Sequence, residues 1–237
     1  MWSIQIENTA YCNRKCPWCP QSKLDFSPDD TMTWETLRKV VNDLVEMNYK
    51  GRVHPYGNGE PLTDPEFIKK ARYIKNRLPD CIMYIATNGD YIGNSCSFND
   101  LLMAGIDELQ VNHYDDRNEH LKYDYNSDVR KICHMDLGFL RTTFYNRAGN
   151  IKIVNINEYE SCWWPGKKLF INHKGDMLVC CSDWKYEDVV GNVHDSCIKD
   201  LIKSSKIRMY QEKLAQGKSH ELPLCSQCNL IRHQEVV

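Results

Sequence analysis

Three cysteines fall within eight residues near the start of the chain, Cys12, Cys16 and Cys19 in the stretch CNRKCPWC. Thiolates are soft ligands that select zinc or iron–sulfur clusters. A loop carrying three of them suits a cubane of four irons, because three corners are held and the fourth iron stays open to a further ligand. Catalytic zinc sites keep one position open by the same logic, whereas structural zinc sites close all four. The competing reading is half of a zinc ribbon completed by a distant fourth cysteine, although zinc pairs usually come as two Cys-x2-Cys hairpins. Further cysteines stand at 162, 180 and 181, and Cys225 and Cys228 form a Cys-x2-Cys pair.

The rest of the composition narrows the setting. The chain has 237 residues, 42% of them hydrophobic, a formal net charge of −2 and 12 cysteines. That is enough apolar material for a packed core and argues against disorder. The near-zero charge gives no reason to expect nucleic acid or an anionic membrane as partner. No apolar run approaches the roughly 20 residues a membrane helix needs, and MWSIQIENTA lacks the basic-then-apolar pattern of a signal peptide. A cytoplasmic protein is expected, where clustered thiols bind metal or do redox chemistry more often than they pair.

The elements that must position these residues read as an alternation. Residues 2–6 alternate as a strand that runs into the cysteine loop. Leu37, Val40, Val41, Leu44 and Val45 repeat at helical spacing behind Thr33 as N-cap. A short strand over 52–56 leads into GNGEPL, and Asp64-Pro65 is expected to open a second helix with the aspartate as cap. CIMYIA (81–86) is a buried strand followed by TNGD; a helix over 98–104 ends at Gly105, and ELQVN (108–112) is the next strand. Strand and helix in alternation predict parallel strands with helical crossovers. Beyond residue 113 the pattern blurs, with YNRAGNIKI suggesting a loop into a further strand. From about residue 156 the texture changes: KKLFINHKGDMLVCC reads as a β-hairpin about Lys174-Gly175, and two short helices near 197–204 and 206–215 lead to CSQCN.

CNRKCPWC resembles the signature of the radical S-adenosylmethionine (SAM) superfamily, including an aromatic residue, Trp18, before the third cysteine. GNGEP (57–61) resembles the Gly-Glu motif that follows the second strand in that superfamily, and TNGD (87–90) follows the third strand as in many members. The resemblance implies an α/β fold: a partial (β/α)6-type, TIM-like barrel over 1–155 with its site at the C-terminal ends of the strands. It implies a [4Fe-4S] cluster on Cys12, Cys16 and Cys19 whose open iron chelates SAM. Gly59 and Glu60 would hold the methionine amine, Trp18 and Asn88 would line the nucleoside side, and Asn112 could reach SAM from the fourth strand. The chemistry implied is reductive cleavage of SAM to a 5′-deoxyadenosyl radical that takes a hydrogen atom from a substrate, with the electron supplied by an external one-electron reductant such as flavodoxin or ferredoxin.

Cys162, Gly175, Cys180, Cys225 and Cys228 are spaced like the auxiliary-cluster extension called SPASM or, in its shorter form, twitch. That implies a small domain over 156–237 holding a second [4Fe-4S] cluster on Cys162, Cys180, Cys225 and Cys228, with zinc as the alternative. Of the remaining thiols, Cys81, Cys96, Cys133 and Cys197 are expected to pack as small apolar residues, while Cys181 could substitute for its neighbour. Taken in order, CNRKCPWCPQS, GEPL, TNGD, NRAG (146–149), VVGNV (189–193) and CSQCN make the whole chain similar to the radical SAM dehydrogenases that act on 2-deoxy-scyllo-inosamine. That family carries an active-site arginine in the Asn-Arg-small-Gly segment, matching Arg147 here. It also has tyrosines where this chain has Asn58 and Ala86, so the resemblance speaks for architecture and cofactors more than for the substrate. The expected reaction is dehydrogenation of a small polar or sugar-like molecule. The alternatives are a radical SAM peptide maturase or epimerase, or a non-catalytic zinc-binding module.

Overall fold

The computed structural model describes residues 3–117, 121, 132–136, 147–150 and 162–229, with the backbone alone for 132–136. Eight strands form one sheet in the order β5-β4-β3-β2-β1-β6-β7-β8. β1 (Ser3–Ile6), β2 (Arg52–His54), β3 (Ile82–Thr87), β4 (Glu108–His113) and β5 (Ile132–Asp136) run parallel, each beside its predecessor. α1 (Trp34–Glu46), α2 (Phe67–Arg77) and α3 (Phe98–Met103) make the crossovers among the first four. This is the parallel, partial-barrel arrangement expected from the alternation. β5 was not anticipated: ICHMD offers neither clear alternation nor a bounding turn signal.

Period-two alternation explains which side does what. Ile4, Ile6, Val53, Met83, Ile85, Leu109 and Val111 are essentially fully buried and share one core with Leu37, Val40, Val41 and Leu44 of α1 and Phe67, Ala71 and Ile74 of α2. The alternate residues Gln5, Tyr84, Ala86, Gln110 and Asn112 line a cavity on the opposite, concave face. The apolar residues thus hold the helices on, and the polar ones are left facing the interior of the partial barrel.

Thr33 caps α1 as predicted, accepting from Thr36 N at 3.2 Å. The start of α2 differs from expectation. The helix begins at Phe67, not at Asp64-Pro65, and Asp64 is not its cap. The Asp64 carboxylate instead accepts from Glu66 N at 2.9 Å, closing a turn ahead of the helix, and from Lys70 Nζ at 2.8 Å. Lys70, 4% exposed, also donates to Met32 O at 2.7 Å. Lys70→Met keeps most of the packing but strands a buried carboxylate. It should cost about 3–5 kcal/mol, seen as a lower urea midpoint with an unchanged denaturant slope.

The predicted hairpin is β6 (Lys168–Ile171) and β7 (Asp176–Leu178), antiparallel and turned at Gly175, whose φ is +89°. β8 (Val189–Asn192) extends it. β6 also pairs parallel with β1, Ser3 opposite Lys168 through Ile6 opposite Ile171. The sheet is therefore continuous across the boundary expected at 155/156, and Leu169, Ile171, Met177 and Val193 belong to the barrel's core. α4 (Ile198–Leu201) and α5 (Ser205–Ala215) follow, near the two predicted helices. Val179, Tyr210, Leu214, Leu222 and Cys225 form a small core of their own. The strand suggested after YNRAG lies outside the described residues beyond Asn150; Arg147–Asn150 themselves form a turn. Among the described residues no helix is long and apolar enough to cross a membrane.

Candidate active site and auxiliary cysteine pocket

A cavity of about 300 Å³ opens at the C-terminal ends of β1 to β4. Cys12, Cys16 and Cys19 line it, together with Trp18, Gly59, Glu60, Asn88, Asn112 and Arg147. Every residue singled out from the sequence for the main site therefore meets in one place, although the loops that carry them are separated by up to 135 positions in the chain.

The loop that bears the three thiols is held by the TNGD turn. Asp90 accepts from Asn13 Nδ2 at 2.7 Å and from Arg14 Nε and a terminal guanidinium nitrogen at 2.7 and 2.5 Å. Asn88 Nδ2 donates to Asn13 Oδ1 at 2.8 Å. The Arg14 side chain is 3% exposed and also lies 3.3 Å from Asp115. Arg14 and Asp90 were not singled out from the sequence. A buried, bidentate arginine inside a cysteine loop has no local signature, since its partner is 76 residues away.

Gly59 brings the β2 loop against the backbone of the cysteine loop. A Cβ there would sit 2.4 Å from Thr9 O and 2.5 Å from Tyr11 O. Glu60 N donates to Tyr11 O at 2.8 Å across the same approach. The Glu60 carboxylate accepts from Leu62 N, Thr87 Oγ1 and Asn88 N at 3.1, 2.6 and 2.7 Å. Burial pushes it up to about 7, against the pull of those three donors. It thus ties the β2 loop to the end of β3 as well as bordering the cavity.

The far wall contains residues that the motifs did not reveal. Tyr84 OH donates to Gln110 Oε1 at 2.6 Å, and Gln110 Nε2 donates to Asn112 Oδ1 at 2.7 Å, so Asn112 offers its amide protons onward. Tyr56 and Tyr84 lie with ring centroids 6.0 Å apart. Tyr84 lies two residues before Ala86 on β3 and Gln110 two before Asn112 on β4, and positions two apart on a strand share a face. Trp18 packs 5.9 Å from Tyr114, a second aromatic at the mouth of β4. Arg147, Ala148 and Gly149 have φ of +50°, +52° and +83°. Two non-glycine residues in the left-handed region mark a strained turn, and such strain concentrates at functional positions. Behind the site, Glu7, fully buried at the end of β1, accepts from Asn58 N, His173 N and Tyr186 OH. It joins the β2 loop to the hairpin turn, a structural role for His173.

A second, smaller pocket is lined by Cys162, Cys180, Cys225 and Cys228 together, with Trp164, Val179 and Leu224. Cys181, by contrast, lines the main cavity. Trp163 is 43% exposed and does not line this pocket, and Lys168 Nζ lies over both tryptophan rings. Among the unassigned thiols, Cys81 sits in the main core and Cys96 packs against it, as expected.

The donor sets fit iron–sulfur clusters. Burial raises the thiols of Cys12 and Cys225 to about 12 and also raises Cys16, Cys19 and Cys162; Cys180 is raised first by its hydrogen bond with Cys181 and then by burial. Such thiols give up their protons to a cationic inorganic partner, which deprotonates them outright. Among the described residues no three such side chains converge tightly enough to grip a single ion. A cubane presents its irons on the corners of a larger object.

A family model for the radical SAM superfamily matches residues 6–133, more than half of the chain. The chain belongs to the radical SAM superfamily. A second model, SPASM, described as an iron–sulfur cluster-binding domain, matches residues 162–229 of this radical SAM protein. The two matches make it an enzyme that works with SAM and [4Fe-4S] clusters, which sets aside the zinc module. Its sequence is 24% identical to the S-adenosyl-L-methionine-dependent 2-deoxy-scyllo-inosamine dehydrogenase of Niallia circulans, over 98% of this chain and 94% of that one. Its fold is similar to that of BtrN in complex with AdoMet and 2-DOIA, with a TM-score of 0.86 at 24% identity, covering 97% of this chain and 93% of that one. A more distant likeness, with a TM-score of 0.55 at 13% identity, is to anSMEcpe with bound AdoMet, covering 99% and 92%.

Proposed function

We propose that this radical SAM enzyme dehydrogenates a small polar, sugar-like substrate, with a two-electron oxidation completed by the auxiliary cluster. The observation that carries the reading is the adjacency of the two sites. Cys180 lines the four-cysteine pocket and Cys181 the cavity; Ala148 lines the pocket and Arg147 the cavity. An electron leaving a substrate in the cavity would have the four-cysteine pocket as its neighbouring acceptor site, across the Cys180–Cys181 and Arg147–Ala148 steps. On this reading Cys12, Cys16 and Cys19 hold the SAM-binding cluster, and Cys162, Cys180, Cys225 and Cys228 hold a closed one, which suits electron transfer. The barrel spans 1–155 and the auxiliary unit 156–237, sharing one sheet.

When bound, the first cluster and SAM supply a one-electron cleavage that generates a carbon radical able to remove a substrate hydrogen. The chain's own part is placement. Gly59 and Glu60 take the amine end of SAM, Trp18 and Asn88 border the nucleoside, and Asn112 donates toward it from β4. Arg147, held by its strained turn, orients the substrate's oxygen; a guanidinium is a poor base at its ordinary pKa. Gln5, Tyr56, Tyr84 and Gln110 line the deeper wall with neutral hydrogen-bonding groups, which match hydroxyls better than an apolar side chain.

The test is anaerobic reconstitution followed by dithionite, SAM and 2-deoxy-scyllo-inosamine or related polyols. The enzyme should carry about eight irons, as two four-iron clusters require, form 5′-deoxyadenosine, and give a product two hydrogens lighter. A product of unchanged mass would instead favour epimerisation. The clamp on the cysteine loop is testable separately. Asp90→Ala should speed loss of iron to a chelator at least about ten-fold, since it leaves the buried Arg14 without its main partner. Asp115→Ala, whose carboxylate is 40% exposed, should change it little.

A further inference from the structure

We propose that Cys181 is a hydrogen-atom donor to carbon radicals formed in the main cavity, giving the substrate radical a second exit besides oxidation. The inference rests on the reading of this cavity as the place where such radicals arise. Its basis is the position of a thiol without a ligand role. The three loop cysteines and Cys181 line the cavity, while Cys162, Cys180, Cys225 and Cys228 line the neighbouring pocket. Cys181 is partly exposed, shares its wall with Tyr56 and Arg147, and hydrogen-bonds through its side chain to Cys180. Trp184, 7% exposed, lines both this cavity and a neighbouring one, and its buried indole N–H has no partner among the described residues.

An S–H bond is weaker than the C–H bond of an alcohol carbon or of a methyl group, so transfer from sulfur to either carbon radical is downhill. A C–H bond forms, the S–H bond breaks, and the unpaired electron moves to Cys181 sulfur. One electron from the neighbouring cluster, supplied by the external one-electron reductant, and one proton from water restore the thiol. For the substrate this exit is redox-neutral: its mass is unchanged, and its configuration inverts where hydrogen returns to the other face. Which exit dominates depends on whether electron transfer to the cluster outruns hydrogen transfer from Cys181.

The experiment needs no knowledge of the substrate. Reconstituted enzyme is exchanged into D2O and given SAM and dithionite alone, and the deuterium carried per 5′-deoxyadenosine formed is read by mass spectrometry. Wild type should transfer deuterium from the exchanged thiol. Cys181→Ser, nearly the same size but with an O–H too strong to donate, should carry at least about ten-fold less per molecule formed, and Cys197→Ser, at a partly exposed thiol that lines neither chamber, should carry as much as wild type. Equal deuterium in wild type and Cys181→Ser overturns the proposal, as does loss of half the iron in Cys181→Ser, which would make Cys181 a ligand. Absence of 5′-deoxyadenosine from wild type overturns the reading of the cavity itself, and this proposal with it. Independently of turnover, N-ethylmaleimide should label Cys181 in the holoenzyme, as mapped by peptide mass, and saturating SAM should slow that labelling several-fold. A Cys181 inert to the reagent without SAM overturns the proposal.

Discussion

Cys12→Ala should form no 5′-deoxyadenosine from SAM and dithionite, whereas Cys225→Ala should still form it yet no longer oxidise substrate. Both variants should lose about four of the eight irons expected of two cubanes, so iron content alone will not separate them. The difference follows from which metal site stays open. Cys12, Cys16 and Cys19 line the cavity with Glu60, Asn88 and Asn112, and three protein ligands leave a corner for SAM. The Cys162, Cys180, Cys225 and Cys228 pocket offers four ligands to a closed cluster and shares no thiol with the cavity. Electron paramagnetic resonance of the dithionite-reduced variants should show that only the cluster surviving in Cys225→Ala changes its signal when SAM is added. A SAM-dependent signal in Cys12→Ala would reverse the assignment of the two clusters.

Gly59→Ala is expected to have the next largest effect. Its added methyl would lie 2.4 Å from Thr9 O, 2.5 Å from Tyr11 O and 2.8 Å from the Ala10 carbonyl carbon. All three are backbone atoms, so no side chain can swing aside. The β2 loop must retreat, breaking the Glu60 N to Tyr11 O bond and withdrawing Glu60 from Thr87 and Asn88. Overpacking of this kind costs about 1–3 kcal/mol, and where it displaces the edge proposed to take the SAM amine the loss should appear as SAM affinity reduced roughly 10- to 100-fold. Equilibrium dialysis of the reconstituted protein measures it. Gly93→Ala is the control: its φ of +86° makes alanine unfavourable, but no atom stands within 4 Å of the new methyl, so SAM affinity should hold. Unchanged affinity in Gly59→Ala would remove the β2 loop from the SAM site.

The parts of the site that were readable from sequence are those set by local chemistry. A thiol triplet and alternating apolar strand residues follow from spacing within one segment, and the Gly-Glu turn from its resemblance to a family motif. That made the cysteine loop, the Gly-Glu turn, the parallel alternation and the hairpin at Gly175 legible. Arg14 with Asp90, Glu7 with His173 and Tyr186, and Tyr84 with Gln110 were not, because each is a contact between segments with no periodic trace. Asp64 shows the opposite failure. Its local fit to a helix cap was good, but Glu66 N, ahead of the helix, and Lys70, within it, take up its carboxylate. β5 was missed because a short segment carries too few residues for its pattern to stand out.

By itself the sequence determined which atoms could hold the inorganic cofactors and the family to which the chain belongs, because ligand type and spacing are properties of single loops. Only the tertiary structure decided how those loops share space: Cys180 and Cys181, neighbours in sequence, line different chambers, and β6 joins the auxiliary segment to β1 in one sheet. The physical reason is that each chamber is walled by loops far apart in the chain, so even two thiols in hydrogen-bond contact border different ones. Where each ends up depends on packing from distant segments, and no window of residues records that.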